Sequence, residues 1–272
     1  PGDSLAFSTS GLPGFCSLTD NGNRTGSIAC SPGVGDSGTF NVIVTVTDDG
    51  VPPLGDSDTF VLTVNAPPSL STLGNQTVEQ ESTLNIPLSA TDPDSGDSLA
   101  YSETGLPTFC SLTDNGDRTA SIACNPGGGD SGTFNVTVTV TDDGSPALSD
   151  SDTFDLTVIL LMDIDIKPGS DPNSINLKSK GNIPVAILTT DTFYALEADP
   201  LSIEFGPGQA TESHGRGHVK DVDGDGDMDL VLHFNMRDTG IGCGDTVATL
   251  TGETFGGQAL TGSDAVRIVK CR

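Results

Sequence analysis

Along residues 133–141 the chain alternates without a break. Phe134, Val136, Val138 and Val140 are apolar, while Asn135, Thr137, Thr139 and Thr141 are polar. A period of two is the mark of a strand with one face buried and the other wet. Similar β-branched and aromatic runs, bounded by Gly, Pro, Asn and Asp, predict strands at 76–78, 83–89, 99–102, 111–113, 121–124, 133–141 and 153–159. Seven short strands at this spacing predict an antiparallel β-sandwich.

The pattern occurs twice. Residues 1–64 align with 95–158 at a constant offset of 94 without a gap, and 50 of the 64 positions are identical. GLPGFCSLTDNG at 11–22 matches GLPTFCSLTDNG at 105–116, and GDSGTFNVIVTVTDDG at 35–50 matches GDSGTFNVTVTVTDDG at 129–144. So close a match implies one shared fold. Asn21-Gly22 and Asn115-Gly116 are hairpin-turn signals, because both residue types tolerate positive φ. Cys16 and Cys30 flank the first turn, and Cys110 and Cys124 the second, almost symmetrically. Each pair is thereby placed across a hairpin, within bonding reach. A closed loop of that length stabilises a module by roughly 3 kcal/mol in the chain-entropy account.

Residue 1 aligns with Ser95, so the first copy lacks a counterpart of residues 68–94 and of about two strands they carry. Two readings stay open: a section of a longer repeat protein, or a sandwich completed by a strand from another subunit.

The motifs ATDPDSGDSLAYS at 90–102, GLP at 105–107, SGTFNVTV at 131–138 and TDDG at 141–144 resemble immunoglobulin-like and cadherin-like surface repeats of bacteria and archaea. The resemblance covers roughly residues 1–161. It implies calcium at the turn aspartates, and Asp92, Asp94 and Asp97 with the strand-end pair Asp142 and Asp143 are the candidates. Plain turn formation is the competing role for these residues. The Asp56/Asp58 and Asp150/Asp152 pairs read as solvated.

The repeat stops near Met162. Residues 159–162 are apolar where the first copy has a polar linker, which predicts a tight, buried domain joint. Strand-like runs at 183–188, 201–205, 229–234, 246–251 and 265–269 predict a third all-β domain. The expected architecture is therefore all-β and three-part: an Ig-like module at 1–67 without its first strands, a complete one at 68–161, and a C-terminal sandwich at 162–272. Residues 163–176 and 181–188 resemble a module found at the ends of secreted bacterial and archaeal proteins.

DVDGDGDMD at 221–229 is the strongest chemical signal. Asp221, Asp223 and Asp225 can turn alternate carboxylates toward one hard cation, Asp227 can add its carbonyl, and Asp229 can close the shell. Oxygen donors in this number select Ca2+. An EF-hand needs Glu at the twelfth position, whereas Leu232 stands there and a strand-like run follows. The loop instead resembles the shorter strand-loop-strand calcium loops of integrin-type modules.

A net charge of −27 adds to this picture, since it repels nucleic acid and anionic membranes and attracts cations. Six cysteines with no CxxC pair indicate three disulfides and an extracellular setting, with Cys243 and Cys271 left for one another. No apolar stretch approaches the roughly 20 residues that span a bilayer. His214 and His218 can chelate a transition metal, but a Gly-rich loop is not preorganised and no Cys or carboxylate motif adjoins them in sequence. Asn23, Asn75 and Asn135 fit the N-glycosylation pattern.

Nucleotide, nucleophile-elbow and metalloprotease motifs are missing from the sequence, which reads as non-enzymatic. The expectation is an extracellular, calcium-stabilised structural or adhesive protein that self-associates as a surface filament or forms a stalk. The rival is a module binding a surface protein or glycan. With no Trp and 2 Tyr, stacking platforms for sugar are scarce.

Overall fold

The computed structural model describes residues 4–33 and 35–270. Apart from one 3-10 turn at Ala195–Glu197, its regular elements are all strands.

The first repeat holds β1 (Leu5–Ser10), β2 (Cys16–Asp20), β3 (Gly26–Cys30), β4 (Gly38–Asp48) and β5 (Gly55–Val64). β1, β4 and β5 form an antiparallel sheet with β4 central, and β2 and β3 form a separate hairpin.

The second repeat adds β6 (Ser69–Leu70), β7 (Gln76–Glu79) and β8 (Leu84–Thr91) before the equivalents β9 (Leu99–Thr104), β10 (Cys110–Asp114), β11 (Thr119–Cys124), β12 (Gly132–Asp142) and β13 (Ser149–Leu161). All seven expected strands form here, and only the two-residue β6 was not legible. One sheet runs β10-β11-β8-β6, and the other carries β9, β12, β13 and β7. Their inner faces meet in one core: Ile86, Leu88 and Ile122 from the first against Val136, Val138, Val140, Phe154 and Leu156 from the second. On the opposite face of β12, Thr137 and Thr141 pair their hydroxyls with Thr153 at 2.9 Å and Ser149 at 2.8 Å. The period of two thus places methyl-rich side chains inward and a hydroxyl ladder outward.

The GLP motif has a steric cause. Gly105 sits at φ 82°, and a Cβ there would lie 2.3 Å from the carbonyl oxygen of Asn135. Gly11 repeats this against Asn41, so both copies use glycine to bring the loop onto the central strand. Both hairpin disulfides form, Cys16–Cys30 and Cys110–Cys124, each between register partners with Cα atoms 4.0 Å apart. In the second hairpin the positive φ angles belong to Gly116 and Arg118, not to Asn115. The turn is longer than a two-residue Asn-Gly hairpin because Asn115 and Thr119 close it through the bond from the Asn115 amide to the Thr119 carbonyl.

The same sequence has two fates. Phe154 is 1% exposed and its counterpart Phe60 is 40% exposed. Among the described residues of the first repeat, Val42 alone is a fully buried hydrophobic residue. In the second repeat β6 and β8 lie in the sheet that faces Phe154, while β7 extends Phe154's own sheet beside β13; among the described residues the first repeat has no counterpart of these three strands.

The last third of the chain contains β14 (Ile164–Ile166), β15 (Ser174–Asn176), β16 (Asn182–Ile187), β17 (Glu204–Phe205), β18 (Ala210–Thr211), β19 (His218–Lys220), β20 (Asp229–Asn235), β21 (Val247–Glu253), β22 (Ala259–Ala265) and β23 (Arg267–Val269). One sheet is β14-β16-β20-β19, while β15 and β23 pair in parallel. The other sheet, β18-β17-β21-β22, continues into β13 through the parallel pairs Leu160↔Leu260 and Leu161↔Thr261. The apolar run at 159–162 is therefore a shared strand: Leu160 and Met162 are buried in the C-terminal core beside Leu230, Leu232, Leu250 and Leu260. Cys243 is described, but its expected partner Cys271 lies outside the described residues.

Candidate calcium sites

Two of the expected acidic groups converge in space. The first forms where the chain enters the second repeat. Asp92, on the turn after β8, Asp97, ahead of β9, and Asp142, at the end of β12, bring one carboxylate oxygen each within 4.8 Å of the others. The strands meet there because β9 pairs with β12 in the register that sets Leu99 opposite Asp142.

The surrounding residues hold this trio in place. Asp142 is buried and accepts the amides of Gly144 and Leu148 on one oxygen. The amide group of Asn65, in the linker, donates to both of its oxygens at 3.1 Å and to the carbonyl of Pro146. Arg118 lies in the same neighbourhood, but its guanidinium donates to the backbone carbonyls of Asp92, Asp94, Ser95 and Asp97, which shapes the loop. Burial, and then repulsion from Asp143, Asp92, Asp94 and Asp142, pushes the Asp97 carboxyl above its ordinary range.

Asp92 Oδ2 and Asp97 Oδ2 are buried with no hydrogen-bond partner. Buried oxygens are rarely left so, and a hard cation would supply what both lack. The other two expected ligands have separate employment. Asp94 accepts the amide of Ala66 at 2.8 Å and so fastens the linker, while Asp143 accepts that of Ser98 at 2.8 Å and closes the turn before β9.

The second group is the loop between β19 and β20, an antiparallel hairpin in which Lys220 pairs with Asp229. Asp221, Asp223 and Asp225 bring their oxygens within 4.8 Å of one another. Each already accepts one backbone amide, from Gly224, Asp225 and Asp227 respectively, so the loop curls around its own carboxylates. The trio includes neither Asp227, which is exposed, nor Asp229. Asp229 is 1% exposed and accepts Thr189 N–H and Val222 N–H, both at 2.8 Å, one on each oxygen. It anchors the loop to the neighbouring chain segment.

Sequence reasoning missed Asp150 and Asp152. They are not merely solvated: Asp150 accepts the amide of Leu70 and Asp152 that of Leu73, at 2.9 and 2.8 Å, pinning the segment around β6 to the edge of β13. Among the described residues, their counterparts Asp56 and Asp58 bond only the next amide in their own strand. Contacts 80 residues apart in the chain leave no local signal.

Residues 67–159 match a family model described as "Putative Ig domain". No curated protein matches the chain. Among solved structures, the chain is similar to the mouse Cadherin-23 EC22-24 fragment at 16% identity and a TM-score of 0.37, over 97% of this chain and 86% of that one. It is similar to the Protocadherin gammaB7 EC3-6 cis-dimer structure at 16% identity and TM-score 0.35, over 98% and 68%. It is also similar to the endo-fucoidan hydrolase MfFcnA4 of glycoside hydrolase family 107 at 15% identity and TM-score 0.30, over 97% and 38%.

Proposed function

We propose that this chain is an extracellular, non-catalytic structural or adhesive protein whose tandem β modules are stiffened by calcium. The observation that carries the reading is the pair of orphaned, buried oxygens on Asp92 and Asp97 facing Asp142, at the point where Asn65 and Ala66 of the linker are fastened. Asp92, Asp97 and Asp142 would hold one ion, and Asp221, Asp223 and Asp225 another. Ca2+ would supply positive charge and oxygen coordination that neutralise carboxylates otherwise in repulsion. The Asn65 and Ala66 contacts then fix how the first repeat is held to the second. Two hairpin disulfides fit an oxidising location outside the cell.

A filament or stalk fits the tandem arrangement of two near-identical repeats. In the second repeat β6 and β8 belong to the sheet that faces Phe154, and Asp150 and Asp152 accept the amides of Leu70 and Leu73. Asp56 and Asp58 offer the same carboxylates to a strand segment of the same kind, whether it comes from a neighbouring subunit or from the same polypeptide.

Electron microscopy of native material with and without chelator, joined to the mass of the denatured chain, tests the whole reading. Ordered filaments or rods that soften or fall apart in chelator are the expected result. Particles indifferent to chelator, with a melting temperature that calcium does not move, would refute it.

A further inference from the structure

All three histidines of the chain meet at one place, on the same hairpin as the acidic loop but away from its tip. His214 lies in the turn after β18, His218 opens β19 opposite Val231 of β20, and His233 sits two residues further along β20. Ring centroids are separated by 5.8 Å for His214 and His218, 5.2 Å for His214 and His233, and 5.3 Å for His218 and His233. One nitrogen of each ring lies within 4.8 Å of the other two. The sequence showed only the HGRGH pair in a Gly-rich loop. The third imidazole comes from a strand and was not visible locally.

Two further observations separate this cluster from simple ring packing. His233 Nδ1 is buried and has no hydrogen-bond partner. Glu212, its side chain 1% exposed, fastens two of the three histidines. It accepts the backbone amides of His214, Arg216 and His233, and its Oε1 stands 3.3 Å from His214 Nδ1. A buried carboxylate on one imidazole nitrogen fixes the ring and directs the other nitrogen outward, the arrangement that orients histidines toward metals. The loop that looked unprepared in the sequence is therefore preorganised, and the missing carboxylate is Glu212.

We infer that His214, His218 and His233 form a transition-metal site, distinct from the calcium sites, that takes a Zn2+-class divalent ion through three imidazoles. Nitrogen donors favour Zn2+, Ni2+ or Cu2+ over Ca2+, which takes oxygen. A tetrahedral Zn2+ with bonds near 2.0–2.1 Å needs nitrogens roughly 3.3 Å apart, and the exposed rings of His214 and His218 can rotate to close the difference. Three protein ligands leave one position facing solvent. Arg216 lines the same hollow and is placed to pair with an anion there.

The test uses the intact chain in excess Ca2+, so that carboxylate sites are filled, and titrates Co2+ followed by Zn2+. One Co2+ per chain with intense visible bands of a nitrogen-rich, low-coordinate site, displaced by Zn2+, is expected. The His218→Ala and His214→Ala variants, both at exposed rings, should raise the Zn2+ Kd at least 10-fold and remove the bands while leaving calcium stabilisation intact. Absence of the bands, or an unchanged Zn2+ affinity in both variants, overturns the site. Loss of calcium stabilisation in wild type with retained Co2+ bands would instead strike the calcium reading alone.

Discussion

Asn65 reaches across 77 residues of sequence to donate its side-chain amide to both carboxylate oxygens of Asp142, at 3.1 Å each. That contact couples the linker to the same carboxylate that completes the Asp92–Asp97 group. Gly144 makes room for it, since a Cβ there would lie 2.3 Å from the Asn65 amide nitrogen. Gly144→Ala and Asn65→Ala should therefore both loosen the joint between repeats without removing a carboxylate. Hydrogen bonds to a charged group of this kind contribute about 1.5–3 kcal/mol. Small-angle scattering in saturating calcium should show a broader distribution of lengths for both variants than for wild type.

Calcium should raise the melting temperature, and at a free concentration 100-fold above Kd the stabilisation is about 2.7 kcal/mol per site. Asp97→Asn removes one of the orphaned oxygens and part of the mutual repulsion. Calorimetry should show this variant melting at or above wild type in chelator but gaining less from calcium.

Asp227 and Asp229 differ by two residues and should differ sharply in consequence. Asp229→Ala strips the partners from two backbone amides, Thr189 and Val222, and costs about 2 kcal/mol or more even without metal. Asp227→Ala, on the exposed loop, should stay within about 0.5 kcal/mol in chelator. Urea denaturation of the two variants side by side reads the difference.

Phe60 and Phe154 occupy equivalent positions and should not be equivalent in energy. Phe154→Ala empties a closed core and costs about 3–5 kcal/mol. Phe60→Ala should cost about 1 kcal/mol in the isolated chain, because the ring is 40% exposed. If assembly covers that face, Phe60→Ala should also weaken filament formation, which sedimentation of assembled material measures.

Reduction or the double change Cys110→Ser with Cys124→Ser should destabilise the second repeat by roughly 3 kcal/mol, as expected for a loop with a sequence separation of 14. Guanidinium denaturation of oxidised and reduced protein gives the comparison directly.

What the sequence determined by itself was whatever depends on neighbours along the chain. The alternation at Phe134 to Val140 specified a one-sided strand, because pleating alone sends successive side chains to opposite faces. The cysteines flanking each turn specified the cross-strand disulfides, and the spacing of Asp221, Asp223 and Asp225 specified a curled oxygen-rich loop. The tertiary structure decided everything that depends on which strands become neighbours. Near-identical repeats became a closed core around Phe154 and an open face around Phe60, because burial depends on a covering sheet and not on the strand beneath it. Asp92, Asp97 and Asp142 were separable from Asp94 and Asp143 only once β9 had paired with β12. His233 joined His214 and His218 over a buried Glu212 only when β20 was laid beside β19, since a site built across a sheet has no fixed spacing in sequence.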